Sequence, residues 1–269
     1  MHDDEIYPKA PVQFVTFEIE FPMAPALDRT EGREQVYDRL AGEFPLLETV
    51  NAMQVQFALG GGQQALPFPQ LGGQQLRMTN RHRTASVVVG ATVARIEQAA
   101  HIRFDDLREL IGRVLEAVGA AARLQGLQRA SLRYINEIQH PDGTSPTAWS
   151  RLLHPALAGP IDLLNATAEK TEGVTIFRIE PQHVVRVVYG TEATGFVVNP
   201  NGPLRIQPRE LGPFFRLDTE STWTAPPDEV PFLVADEVLA IADRLHDPIR
   251  SLFEAALNPD LREYFRSPA

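Results

Sequence analysis

The chain of 269 residues contains no cysteine, and this absence excludes several kinds of site. Disulfide bonds, thiolate-bound zinc, iron–sulfur clusters and cysteine nucleophiles all require a thiol. Lysine is nearly absent as well, since Lys9 and Lys170 are the only lysines in the chain. The balance of 35 acidic against 25 basic residues gives a formal charge of −10. Because binding to nucleic-acid phosphates requires a basic face, this charge argues against a nucleic-acid partner.

Long apolar runs are missing too. No stretch approaches the roughly 18 to 20 consecutive apolar residues that a membrane-spanning helix needs. Residues 1–5 are mostly acidic, where a signal peptide would be basic. We therefore expect a cytoplasmic protein without membrane association. The hydrophobic fraction of 43 % is high enough to form a large core.

Familiar catalytic and cofactor-binding motifs do not occur in the sequence. There is no P-loop ending in GKS or GKT, no GxSxG and no GxGxxG after a predicted strand. The seven histidines form neither HxH nor HExxH, and no two of them lie within five residues of each other. We therefore expect no metal site and no cofactor, and an enzyme of a familiar class is disfavoured.

Hydrophobic periodicity divides the chain into two stretches with the same order of predicted elements. Each stretch begins with a strand and a capped helix, continues through three or four strands, and ends in a long amphipathic helix. The long helices are predicted at residues 104–124 and 233–257. The fold class is α+β, with two β-α-β-β-β-α-like halves, residues 1–128 and 129–269, packed as one unit by structural duplication. We expect mostly antiparallel sheets, separate or joined in one saddle, each covered on one face by its long helix.

A low-complexity stretch rich in glycine and glutamine, residues 60–75, separates two predicted strands. We expect an exposed and mobile hairpin loop, because these residues bury too little surface to offset the entropy lost on ordering. A ligand-binding loop is the alternative.

The segment SLRYINEI, residues 131–138, predicts a strand with polar side chains on both faces. Alternation places Arg133 on one face and Asn136 on the other. If buried, each side chain needs a partner. The partners are either a carboxylate for Arg133 and a backbone group for Asn136, or a bound ligand.

The terminal helix places His246 on its apolar side, with Arg250 four residues further on. Within this run Pro248 either kinks the helix or starts a second one. We expect His246 to be a hydrogen-bonded structural residue and Arg133 to lie nearer to any ligand. The candidate ligand-binding residues are Arg133, Asn136, His246 and Arg250.

These two segments resemble an uncharacterised, sporadically distributed family of bacterial and archaeal proteins of about this length. The resemblance rests on a short N-terminal strand that begins Ala10-Pro11-Val12, an "LRYiN.i" strand at residues 132–138, and an "lH..i...Fe..l" helix at residues 245–257. It extends over nearly the whole chain, although Ala255 and Ala256 stand where the family pattern usually has threonine. The family has no established reaction. Its patchy distribution implies an accessory gene, such as one for defence, toxin–antitoxin function or specialised biosynthesis.

The sequence therefore favours a non-catalytic binding or interaction protein of such an accessory bacterial system. Its partner would be another protein, or a small-molecule ligand held on a sheet or between the halves. The alternative is an enzyme with an unrecognised site around Arg133, Asn136 and His246, acting on an anionic small molecule.

Overall fold

The fold is described by a computed structural model of the chain. The structure describes residues 7–51, 73–99, 103–161, 163, 165–206 and 212–267.

The described residues contain nine strands and six α-helices. The strands are β1 (Val12–Glu20), β2 (Leu46–Asn51), β3 (Gln74–Thr79), β4 (Ala85–Val89), β5 (Val93–Gln98), β6 (Arg129–Ile138), β7 (Glu172–Glu180), β8 (His183–Glu192) and β9 (Phe214–Thr224). The helices are α1 (Pro25–Asp28), α2 (Thr30–Leu40), α3 (Phe104–Ala121), α4 (Pro146–Leu152), α5 (Ala235–Ala256) and α6 (Pro259–Arg266), with a short 3₁₀ helix at Pro155–Leu157.

All nine described strands belong to one sheet, in the order β2-β3-β4-β5-β1-β6-β9-β8-β7, and every described pairing is antiparallel. Strand β1 lies in the interior of the sheet, where it pairs with β5 on one side and β6 on the other. Among the described strands, β2 and β7 lie at the two edges of the sheet.

One face of the sheet carries all six described helices. Strand alternation directs Val15, Phe17 and Ile19 of β1 into a core that α3 and α5 also line. A second apolar cluster joins α4 and α6 to β8 and β9. The two long helices also contact each other, and Arg108 of α3 donates to Asp243 of α5 at 2.8 Å. The opposite face carries no described helix, and we call it the helix-free face.

The prediction of two halves, each with its own sheet and covering helix, is wrong. The sheet is continuous because both edges of β1 need hydrogen-bonding partners, and β5 pairs with one edge while β6, from the second predicted half, pairs with the other. Helices α3 and α5 contribute to a single apolar cluster and do not cover separate sheets. The structure therefore gives no support to the predicted duplication.

The structure confirms some of the local predictions and differs from others. Helices form within both predicted long spans, and they are the longest described helices. Pro248 lies inside α5, which continues through it as one helix. The periodicity gave no sign of β2. The strand predicted before the glycine- and glutamine-rich loop, residues 53–59, lies outside the described residues. Residues 60–72 of that loop, predicted at residues 60–75, also lie outside them.

The described residues contain no candidate for a membrane-spanning helix. None of their helices combines the length and the apolar character required to cross a lipid bilayer.

Candidate functional site

Arg133 lies on the helix-free face and is held by a carboxylate. Its Nε and Nη2 atoms donate to the two carboxylate oxygens of Asp218 on β9, at 2.7 and 2.6 Å. The Asp218 side chain is 2 % exposed. Burial alone lowers the pKa of Arg133, but the hydrogen bonds and charge of Asp218 outweigh burial and raise it. Arg133 therefore has a carboxylate partner, which is the first of the two alternatives predicted from the sequence.

The same face continues as a layer of alternating acids and bases. Arg129 on β6 donates to Glu18, Glu20 and Glu220, at 3.1, 2.9 and 3.1 Å. Arg95 on β5 pairs with Glu18 from the other side. Because the acids and bases alternate across β5, β1, β6 and β9, this central region does not present a field of one sign.

A more deeply buried group lies towards the β2 edge. Arg77 on β3 donates to Glu97 on β5 at 2.9 Å, and the hydroxyl of Ser86 on β4 donates to the same carboxylate oxygen at 2.7 Å. All three residues are buried. Arg77 and Glu97 thus compensate each other's charge, although the buried Nε of Arg77 has no hydrogen-bond partner among the described residues. The burial of all three residues leaves no access for a ligand.

Asn136 lies on the helix-bearing face, opposite to Arg133, as the sequence predicted. Its Nδ2 donates to the backbone carbonyl of Leu217 at 3.1 Å, and the residue is buried. Its Oδ1 is also buried and accepts no hydrogen bond from the residues that the structure describes. A single pocket therefore cannot contain both Arg133 and Asn136.

His246 and Arg250 extend from α5 within the helix layer. The His246 ring stacks on Phe104 of α3, with ring centroids 3.9 Å apart and an interplanar angle of 2°. It also lies near Tyr134 of β6, at 6.1 Å between centroids. The strand and the helix that carry the family resemblance, residues 132–138 and 245–257, thus lie next to each other at Tyr134 and His246. Both His246 and Arg250 are half-buried, and they lie on the opposite side of the sheet from Arg133.

A histidine–serine pair that no sequence pattern predicts lies between β8 and β9. Nε2 of His183 is 2.8 Å from the hydroxyl of Ser221. Burial lowers the pKa of His183. His183 is 5 % exposed and Ser221 is fully buried, so a substrate cannot reach the hydroxyl. The pair depends on the β8–β9 register, which no local sequence pattern encodes.

The edge strand β7 exposes large apolar side chains on both faces. Val174 and Ile176 point to the helix-free face and are 56 % and 66 % exposed. Phe177 and Ile179 are 46 % and 51 % exposed. In the described residues β7 pairs with β8 alone, so its outer backbone edge has no strand partner there. The sequence predicts this strand, but its edge position follows from the order of the whole sheet.

Arg186 of β8 lies beside this edge on the helix-free face. Arg186 lies opposite Ile176 of β7 on one side and opposite Glu220 of β9 on the other. Its guanidinium forms no ion pair with the described residues, whereas Arg133 and Arg129 each bind carboxylates. The β7 end of the face thus combines exposed apolar surface with a free cation.

Other sites receive little support from the geometry. Surface depressions beside α4 and between α2 and α3 contain none of the four candidate residues. Within the described ranges no group of three or more histidine or acidic side chains is arranged to bind a metal ion.

No protein-family model matches the chain, and no curated protein is significantly similar to it in sequence. The family resemblance therefore stays a prediction.

Proposed function

We propose that the protein is a non-catalytic interaction protein of an accessory bacterial system, and that its binding surface is the outer edge of β7. The observation that carries this proposal is the exposure of Val174, Ile176, Phe177 and Ile179 on one edge strand. Exposed apolar surface at a sheet edge is a liability for a protein without a partner, because any other strand can pair there.

The backbone of β7 supports the same reading. Thr171 is hydrogen-bonded to Thr191, since its carbonyl accepts from the Thr191 amide at 2.8 Å. Successive residues of an antiparallel strand direct their backbone groups to opposite sides, so residues 172, 174, 176 and 178 direct theirs outwards. These groups can bond to a further strand, which is how edge strands bind extended protein segments.

The backbone features that protect a sheet edge, a bulge and a proline, occur only at the end of β7. The pairing with β8 is irregular between Arg178 and Glu180, and Pro181 follows. Bulges and prolines commonly protect edges from pairing. The preceding residues, 172–178, are regular and contain neither device.

A protein partner suits this surface better than a small ligand. Strand addition obtains affinity from backbone hydrogen bonds and specificity from side chains on both faces, and β7 offers both. The enzyme alternative has less support, because Arg133 is bound to Asp218 and lies on the opposite face from Asn136 and His246. The assignment to an accessory system is carried by the family resemblance.

The variant Val174→Pro tests the proposal. Proline removes an amide that points outwards and leaves the hydrogen bonds to β8 in place. Val174→Thr is the matched control, since it keeps both the amide and the β-branched shape. We expect the wild type and Val174→Thr to elute from native-host extract as an assembly larger than one chain, and Val174→Pro as a single folded chain. The same assembly for all three proteins would contradict the proposal.

A further inference from the structure

We infer that the strand which pairs with β7 is β7 of a second copy of this chain, antiparallel about a two-fold axis at Thr175. The inference rests on the proposed function, because it assigns an occupant to the same edge. The arguments for it are the register that the backbone allows and the charges and shapes that this register brings together.

The backbone restricts the registers. Residues that exchange hydrogen bonds across a new antiparallel pair must both direct their backbone groups outwards. In β7 these are the even-numbered residues from 172 to 178, so an even-numbered residue must face another even-numbered residue. A symmetric pair can therefore be centred on Val174, Thr175, Ile176 or Phe177.

Charge distinguishes between these four centres, and centring on Val174 places the charge of Glu172 opposite the apolar Ile176. With Thr175 at the centre, Glu172 faces Arg178 of the second copy, and Val174 faces Ile176. Centring on Ile176 instead places Glu172 opposite Glu180, which repels. Centring on Phe177 places Ile176 opposite Arg178 and Val174 opposite Glu180, which leaves both charges against apolar groups. The segment EGVTIFR is thus self-complementary about Thr175.

Both charged partners are available for this contact. The side chain of Glu172 is half-exposed, although it already binds Arg216 at 3.0 Å and lies 3.4 Å from Lys170. These cations lower the pKa of Glu172 against the effect of burial, so its carboxylate is ionised at neutral pH. Arg178 makes one hydrogen bond, to the carbonyl of Pro181 at 3.1 Å, and is exposed.

Shape agrees with charge on the other face of the strand. In the Thr175-centred register, Phe177 faces Gly173 of the second copy. A Cβ at Gly173 would overlap the ring of Tyr189, so the fold excludes a side chain at this position. The Tyr189 ring of the same chain thus already covers Gly173, and Phe177 of the second copy would pack against that ring. Phe177 would gain burial there, while Val174 and Ile176 of both copies would form one apolar patch on the helix-free face.

Single cysteines test the register directly, because the natural chain has none. Thr175 faces itself across the axis in a non-hydrogen-bonded pair, where Cβ atoms lie about 4.5–5.5 Å apart. We expect purified Thr175→Cys to form a disulfide-linked dimer under mild oxidation, and Ile176→Cys and Phe177→Cys to remain largely uncrosslinked. Efficient crosslinking at residue 176 or 177 but not at 175 would overturn the inferred register.

Sedimentation of the purified full-length chain tests the charge pairing. We expect the wild type to be a dimer and Arg178→Glu, which faces Glu172 with like charge, to raise the dimer dissociation constant about tenfold or more. Arg39→Glu, on the exposed side of α2, makes the same charge change and should leave the dimer intact.

The outcomes separate this inference from the proposed function. If the purified wild type stays a single chain while the native-host assembly is lost with Val174→Pro, the second copy is excluded as the occupant and the proposed function stands. If neither assembly depends on Val174, both fail. A dimer in which Arg178→Glu and Arg39→Glu sediment alike would also overturn the inference.

Discussion

At the scale of single residues, burial and pairing determine which polar side chains are structural. Arg133 uses two nitrogens for one carboxylate that is almost fully buried. Such a pair contributes little net stability, but the removal of one member leaves a buried charge without compensation. A structural role in this ion pair differs from our prediction from the sequence that Arg133 lies nearer to a ligand. A substitution of Arg133 distinguishes the structural role from the ligand role.

We predict that Arg133→Met lowers the free energy of unfolding by about 3–5 kcal/mol, because the Asp218 carboxylate is left unpaired. Urea denaturation at neutral pH measures the change. Arg113→Met is the control: its pair with Glu43, at 3.2 Å, is exposed, and its loss should cost less than about 1 kcal/mol. The double variant Arg133→Met/Asp218→Asn should recover part of the loss. Wild-type stability of Arg133→Met would favour the ligand role.

His246 is predicted to act structurally through its stack on Phe104. Truncation in His246→Ala removes this parallel ring contact, which is worth about 0.5–1.5 kcal/mol beyond the area it buries. Thermal unfolding measures the effect, and His82→Ala, at an exposed histidine, should leave the transition unchanged. An unaltered transition for His246→Ala combined with lost partner binding would instead identify His246 as a ligand-facing residue.

His183 predicts a dependence of stability on pH. Burial lowers its pKa in the folded chain below the ordinary value of 6.5, so the unfolded chain takes up a proton at higher pH than the folded chain. The free energy of unfolding should therefore fall as the pH decreases below about 6.5, and the loss should stop below the lowered pKa. Denaturation series from pH 8 to 5 should show a shallower slope for His183→Gln than for the wild type. Equal slopes would assign the dependence to other groups.

At the scale of elements, hydrophobic periodicity correctly predicted the long helices, because a helix is determined by contacts between residues close in sequence. The apolar stripes of α3 and α5 lie within a few turns of sequence, and both helices form inside their predicted spans. The opposition of Arg133 and Asn136 also follows from alternation in one strand. Strand order is different, because it depends on pairings between segments far apart in sequence. For that reason the sequence could not show that β1 pairs with both β5 and β6, that β7 is an edge, or that His183 contacts Ser221.

Two helical glycines are predicted to respond oppositely to alanine. Gly32 of α2 lies against α1, and a Cβ there would overlap the carbonyl of Ala26. Gly32→Ala should therefore destabilise the fold by about 1–3 kcal/mol. At Gly112 of α3 a Cβ meets open space, so Gly112→Ala should stabilise by roughly 0.5–1 kcal/mol through helix propensity. Chemical denaturation of both variants measures the difference, and equal signs would contradict the close contact between α1 and α2.

At the scale of the whole molecule, the continuous sheet makes the two predicted halves depend on each other. Strand β1 pairs with β6 from Val12 to Glu20, directly across the boundary predicted at residues 128 and 129. The main core draws side chains from α3 before this boundary and from β6 and α5 after it. Separation at the boundary would expose one edge of β1 and divide that core, so neither part retains a complete apolar face.

We therefore predict a single cooperative unfolding transition for the chain. Both tryptophans, Trp149 and Trp223, follow the boundary, so their fluorescence reports on residues 129–269, whereas far-ultraviolet circular dichroism reports on both parts. The two probes should give coincident denaturation curves. Fragments 1–128 and 129–269 should each lack a cooperative transition alone and regain one when mixed, because mixing restores the β1–β6 pairing and the shared core. A cooperative transition of either fragment by itself, or a fluorescence midpoint distinct from that of circular dichroism, would show that one part folds independently of the continuous sheet.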